Sequence, residues 1–112
     1  MKEERFPTEQ PDLDLRLVRY FTVVAAHRHF GRAAAELLIA QPSLSRQIRA
    51  LEQRLGARLL DRTPQGTTLT EAGEVFLPKA KSLLRAAGQA AAAARAAAQP
   101  SPAGSRSATR SG

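Results

Sequence analysis

The stretch from Phe30 to Gly56, FGRAAAELLIAQPSLSRQIRALEQRLG, constrains the fold more than any other part of this chain. On a helical wheel Leu44, Ile48, Leu51 and Leu55 fall within about 60° of one another, which defines one buried stripe. Gly31 and the run Ala33–Leu38 make a shorter helix before it. Ala40-Gln41-Pro42 reads as a turn between the two, with Pro42 suited to the first helical position, where a missing N–H costs nothing. Gly56 is suited to the left-handed residue that ends the longer helix. The pattern is a pair of helices joined by a tight turn.

The elements around this pair follow from periodicity. From Asp14 to about Arg28, Leu17, Phe21 and Val24 recur at helical spacing, widened by Val18 and Ala25, and predict a first helix packed on the pair. RLLDRT, PQG and TTLT over Arg58–Thr70 read as two short extended runs around a Pro/Gly turn, a hairpin. Thr70 can cap a last helix running to about Ala98, with Glu71 and Glu74 favourable at its positive end. A kink is expected at Pro78. Residues 1–12 are charged and hold two prolines, which suggests a flexible leader, and residues 99–112 are Pro/Ser/Gly-rich and read as a disordered tail. The expected fold is mainly α. It is a winged helix-turn-helix over residues 13–70, a three-helix core with a short β-hairpin wing and the helix-turn-helix at about 30–49. A long C-terminal linker helix follows over 71–98.

Charge narrows the function. The formal net charge is +7 and residues 13–98 hold 13 Lys and Arg against 6 acids, so the excess lies on the folded part and favours a polyanionic partner. With four Phe, one Tyr and no Trp there is no aromatic platform for single strands, and a duplex is the better substrate. The absence of cysteine excludes disulfides, thiolate metal sites and cysteine catalysis. No apolar run approaches the ~20 residues that span a bilayer, so a cytoplasmic, nucleoid-associated protein is expected. His27 and His29 point away from each other on a helix and have no third ligand, so neither a metal nor a cofactor is expected. Ser43 and Ser45 have no neighbouring base, and Gly66 and Gly73 do not make a phosphate loop. No enzyme signature is present.

Opposite the Leu/Ile stripe lie Arg46 and Gln53, flanked by Pro42, Arg49 and Ser43. An arginine-bearing helix face is often merely solvated, but here the preceding helix, the tight turn and the net charge point to DNA. Arg can reach guanine, Gln can read adenine, and Ser can serve either. Such helices meet bases near their N-termini, so Gln41, Pro42, Ser43 and Arg46 are the candidates for base contact, and Arg49 and Gln53 for backbone contact.

The run RYFTVVAAHRHFGRAAAELLIAQPSLSRQIRALEQRLGARLLDRTPQGTTLTEAG resembles the DNA-binding domain of LysR-type transcriptional regulators. AQPSLSRQIRALEQRLG is its most specific part, supported by LLDRT and LTEAG of the wing. The resemblance implies a bacterial transcription factor that binds double-stranded DNA. It adds Ser45 to the DNA-facing set, and Arg32 and Arg62 as phosphate contacts; loss of Arg62 would weaken binding to all sequences alike.

Along the last helix Leu77, Ala80, Leu84, Ala87, Ala91, Ala94 and Ala98 alternate by three and four, a heptad seam. Alanine's helix propensity makes such a pattern easy to match, but the family resemblance implies pairing through this helix, and a homodimer is expected. LysR-type regulators continue into a larger ligand-sensing domain, so no small-molecule effector site is expected in this stretch. The alternatives are a truncated or frameshifted regulator that pairs with full-length relatives as an interaction module, or a nonspecific DNA binder.

Overall fold

Local signals start and stop each element in the computed structural model, which describes residues 13–99. The leader expected over 1–12 and the expected tail beyond Gln99 lie outside the described residues. Asp14 caps the first helix, α1 (Leu15–His27), its carboxylate accepting the Arg16 N–H at 2.9 Å. Arg28 ends α1 in the left-handed conformation at φ 55°. The second helix, α2 (Phe30–Leu37), is capped by His29, whose Nδ1 accepts the Arg32 N–H at 3.0 Å. Leu38 closes it at φ 62°, an unusual left-handed leucine.

The third helix, α3 (Gln41–Leu55), begins one residue earlier than expected, so Pro42 occupies the second helical position and not the first. Only the first helical turn lacks intrahelical N–H partners, so the ring is tolerated there too. Gly56 at φ 70° ends the helix, its N–H bonding Glu52 O at 2.8 Å. Strands β1 (Leu60–Thr63) and β2 (Gly66–Leu69) form an antiparallel hairpin in which Leu60 faces Leu69 and Arg62 faces Thr67. The last helix, α4 (Glu71–Ala98), passes through Pro78 without ending.

The core of the three-helix body is Leu17, Val18, Phe21 and Val24 of α1 against Phe30, Ala33 and Ala34 of α2 and Leu44, Ile48 and Leu51 of α3, closed by Leu59 and Leu60. Phe21 is wholly buried and meets the Phe76 ring at 5.4 Å, tilted by 49°. Truncating so central a ring to alanine costs about 3–5 kcal/mol.

The hairpin is tied to this body at both ends. Thr67 N–H donates to Arg28 O at 3.2 Å, and Glu52 Oε2 accepts the Leu59 and Leu60 N–H groups at 2.8 and 3.1 Å. Thr70 caps α4, donating its hydroxyl to Arg58 O at 2.6 Å while accepting the Gly73 N–H at 3.0 Å. Gly73 is required by close approach, since a Cβ there would stand 2.2 Å from Leu59 O.

The chain divides into two units, the first ending at Lys81 and the second beginning at Ser82. The division falls inside α4 and not at its start, because Gly73, Phe76 and Ala80 of its first turns belong to the body's packing. Among the described residues no helix is long and apolar enough to cross a membrane.

Candidate nucleic-acid interface

The inward stripe of α3 fixes which side chains must face out. Leu44, Ile48 and Leu51 are buried, and Gln41, Pro42, Arg46, Arg49 and Gln53 on the rest of the helix are exposed. Ser43 and Ser45 are half-buried at its edges. Leu55, expected in the stripe, is only half-buried because it lies in the last turn. Arg32 is exposed at the start of α2, its backbone N–H taken by His29.

One flank of α3 meets the wing. A cavity of about 420 Å³ opens between them, lined by Ser45, Ile48, Arg49 and Glu52 from α3, Arg58, Leu60 and Arg62 from the wing side, and Phe30. A shallower hollow of about 160 Å³ joins Gln41 to His29, Arg62 and Thr63. The guanidinium of Arg62 lies 3.8 Å above the centre of the Phe30 ring and donates to Ser45 Oγ. The structure thus gathers Ser45, Arg49 and Arg62 around one concave surface, while Gln41 shares the second hollow with Arg62, and Pro42 and Arg46 lie on the exposed end of the same helix.

Three contributors escaped the sequence reading. Glu52 holds the wing to α3; its place one helical flank from Ser45 and Arg49 was readable from the wheel, but its backbone partners were not. Arg58 lines the cavity while bonding Asp61 at 3.0 Å and Leu60 O at 3.1 Å. His29 serves α2 as a cap, and His27 bonds Glu36 at 2.6 Å, so each histidine has its own structural partner. Among the described residues no group of three metal-ligating side chains comes together.

The expected seam on α4 is uneven. Leu77 is half-buried and Ala80 fully buried within the first unit, so no partner helix can reach the Ala80 side chain in this conformation. In the second unit Leu84, Ala87 and Ala91 are half-buried, and Ala94 and Ala98 are exposed.

Residues 15–74 match the family model described as bacterial regulatory helix-turn-helix protein, lysR family. The chain is 53% identical over 83 residues to the uncharacterized HTH-type transcriptional regulator YnfL of Escherichia coli K12, a match covering 74% of this chain and 28% of that protein. It is 49% identical over 72 residues to the HTH-type transcriptional regulator TfdT of Cupriavidus pinatubonensis, covering 64% of this chain and 32% of that one. The chain therefore spans about a third or less of the length of these relatives. Among solved structures it is similar to the CbnR DBD–DNA complex, with a TM-score of 0.74 and 40% identity over 78% of this chain and 100% of that one. The BenM DBD/benA site 1 DNA complex gives a TM-score of 0.73 at 40% identity, over 77% of this chain and 100% of that one.

Proposed function

The chain belongs to the bacterial regulatory helix-turn-helix proteins of the lysR family, and from that premise we propose that it reads double-stranded DNA as one half of a homodimeric transcription regulator. In this reading α3 enters the major groove by its N-terminal turns, with Gln41, Pro42, Ser43, Ser45 and Arg46 toward base edges. Arg32, Arg49 and Gln53 hold the flanking phosphates, setting register without reading sequence, and the wing's Arg62 adds a phosphate contact beside them. Residues 13–70 are the reading head and 71–98 the coupling helix.

The observation that carries this reading is the concave surface between α3 and the wing. It presents Arg49, Arg58 and Arg62 beside the exposed N-terminal turns of the helix. The net charge of +7 supports it. So does the likeness to DNA-binding domains solved on DNA. Leu77, Leu84, Ala87, Ala91, Ala94 and Ala98 are offered to a partner helix, and two symmetric heads then read a spaced palindrome. The regulator works on the nucleoid in the cytoplasm.

Selection of bound sites from random duplexes at rising salt tests both halves. A motif of two spaced half-sites is expected. Binding that falls with salt alike on every sequence, with no motif recovered, leaves only a nonspecific charge binder and overturns the reading. Sedimentation showing a monomer alone, free and on the selected duplex, overturns the dimer.

A further inference from the structure

Arg62 sits on the wing and Ser45 on the reading helix, yet their side chains are hydrogen-bonded to each other. Resting on the reading of α3 as the base-reading helix, we propose that Arg62 determines specificity through Ser45, by fixing the serine hydroxyl as a hydrogen-bond donor to the base it faces.

The wing holds Arg62 in place. Glu52 grips the start of β1, and Thr67, the partner of Arg62 across the hairpin, is bonded to Arg28 O. The guanidinium is then held over the ring of Phe30, a residue only 6% exposed, at 3.8 Å from the ring centre. From that position it reaches Ser45 Oγ. A guanidinium has donors only, so the serine oxygen must accept. Among the described residues nothing takes the Ser45 hydroxyl proton, which leaves it to donate outward.

The major groove answers that demand unequally. Guanine offers N7 and O6, thymine O4 and adenine N7 as acceptors, while cytosine offers the N4 amino group, a donor. For Ser45 to accept from that amino group, its oxygen would take a second positive hydrogen beside a guanidinium already bonded to it. Ser45 therefore favours guanine or thymine and disfavours cytosine at the base it meets. A serine without this neighbour can rotate to serve either kind of edge, and the preference relaxes.

The test uses the full chain and a duplex obtained by selection. The base pair facing Ser45 is the one whose discrimination Ser45→Ala abolishes. At that pair Arg62→Met, which keeps the length and removes the donors, is expected to lower the preferred-to-cytosine affinity ratio about tenfold, the loss of one base-reading hydrogen bond. Ratios at the pairs facing Arg46 stay within about twofold, and Arg62→Lys, still a donor, keeps the Ser45 ratio within about twofold as well. In a Ser45→Ala background Arg62→Met causes no further loss of the ratio. Should Arg62→Met lower the melting temperature enough to obscure binding, Arg62→Leu replaces it, because it too removes every donor and so predicts the same lost preference.

An unchanged ratio at the Ser45 pair, with affinity for all duplexes falling by one factor, overturns the proposal and leaves Arg62 as a phosphate contact. So do losses from the two substitutions that multiply, an Arg62→Lys variant that behaves like Arg62→Met, or a Ser45→Ala variant that alters discrimination at no pair. These outcomes leave the DNA-reading assignment standing; a wild-type chain with no sequence preference overturns that assignment as well.

Discussion

The carboxylate of Glu52 accepts the backbone N–H of Leu59 at 2.8 Å, and the same oxygen takes the Leu60 N–H at 3.1 Å. One side chain of the reading helix thereby satisfies the two donors that begin the wing. Leu59 and Leu60 are buried, so donors abandoned there would pay their desolvation. Glu52→Ala is expected to cost about 1–3 kcal/mol, and Glu52→Gln less, since an amide oxygen can still accept. For a domain of this size each kcal/mol lowers the melting temperature by about 4–8 °C. Melting temperatures for Glu52→Ala that match wild type would show that the wing is held by other means.

Gly73 and Gly88 both lie in α4 and should respond oppositely to alanine. At Gly73 a methyl group would stand 2.2 Å from Leu59 O and 3.0 Å from the Leu69 side chain, so the cap of α4 has to move away from the wing. Gly73→Ala is expected to destabilise by about 1–3 kcal/mol, as overpacked sites do. At Gly88 a methyl group meets nothing within 4 Å, and alanine there gains about 0.5–1 kcal/mol of helix propensity. Urea unfolding reports the first, and far-ultraviolet circular dichroism of α4 the second. A neutral Gly73→Ala would contradict the close approach.

How much of this was readable beforehand depends on the range of the interaction. Leu17, Phe21 and Val24 on α1, and Leu44, Ile48 and Leu51 on α3, announce their burial through a period that each helix imposes on its own sequence. Thr70 announces a helix start through side-chain chemistry acting over three residues, and Gly56 announces a helix end through its missing Cβ. The exposed face of α3 follows, since it is what the buried stripe leaves over. Glu52 bonding to Leu59, Gly73 meeting Leu59, and Arg62 lying on Phe30 depend on where separate elements dock, which no local period encodes. Histidine is an uncommon cap, so nothing local to His29 points to its place at the start of α2. Ala80 matched the heptad seam because spacing cannot distinguish a methyl group facing a partner from one facing its own core.

Leu38 occupies a position that ordinarily belongs to glycine. Its φ is 62° and its side chain is 89% exposed, so it suffers the left-handed penalty without gaining from burial. The turn is held by backbone bonds that need no side chain, from Leu38 N–H to Ala35 O at 3.2 Å and from Ile39 N–H to Ala34 O at 3.1 Å. Leu38→Gly relieves about 1 kcal/mol of strain, offset in part by the greater freedom of glycine in the unfolded chain. A net gain of a few tenths to about 1 kcal/mol is expected in chemical denaturation. A loss above 1 kcal/mol would mean that the exposed leucine packs on something in solution.

Arg46 and Arg49 are exposed on the same helix, one turn apart, and the proposed geometry gives them different work. Arg46 lies in the N-terminal half that approaches base edges, where a guanidinium can bond guanine bidentately. Arg49 lines the cavity shared with Arg58 and Arg62, where a phosphate would meet several guanidinium groups. Arg46→Ala should cost about 1–3 kcal/mol on the selected duplex and much less on random DNA, so that preference relaxes. Arg49→Ala should weaken both alike and reduce the slope of log affinity against log salt by about one. Titrations of the selected and a scrambled duplex at several salt concentrations separate the two behaviours. The assignment of base and backbone roles along α3 fails if Arg46→Ala weakens both duplexes equally, or if Arg49→Ala changes preference while leaving the salt slope alone.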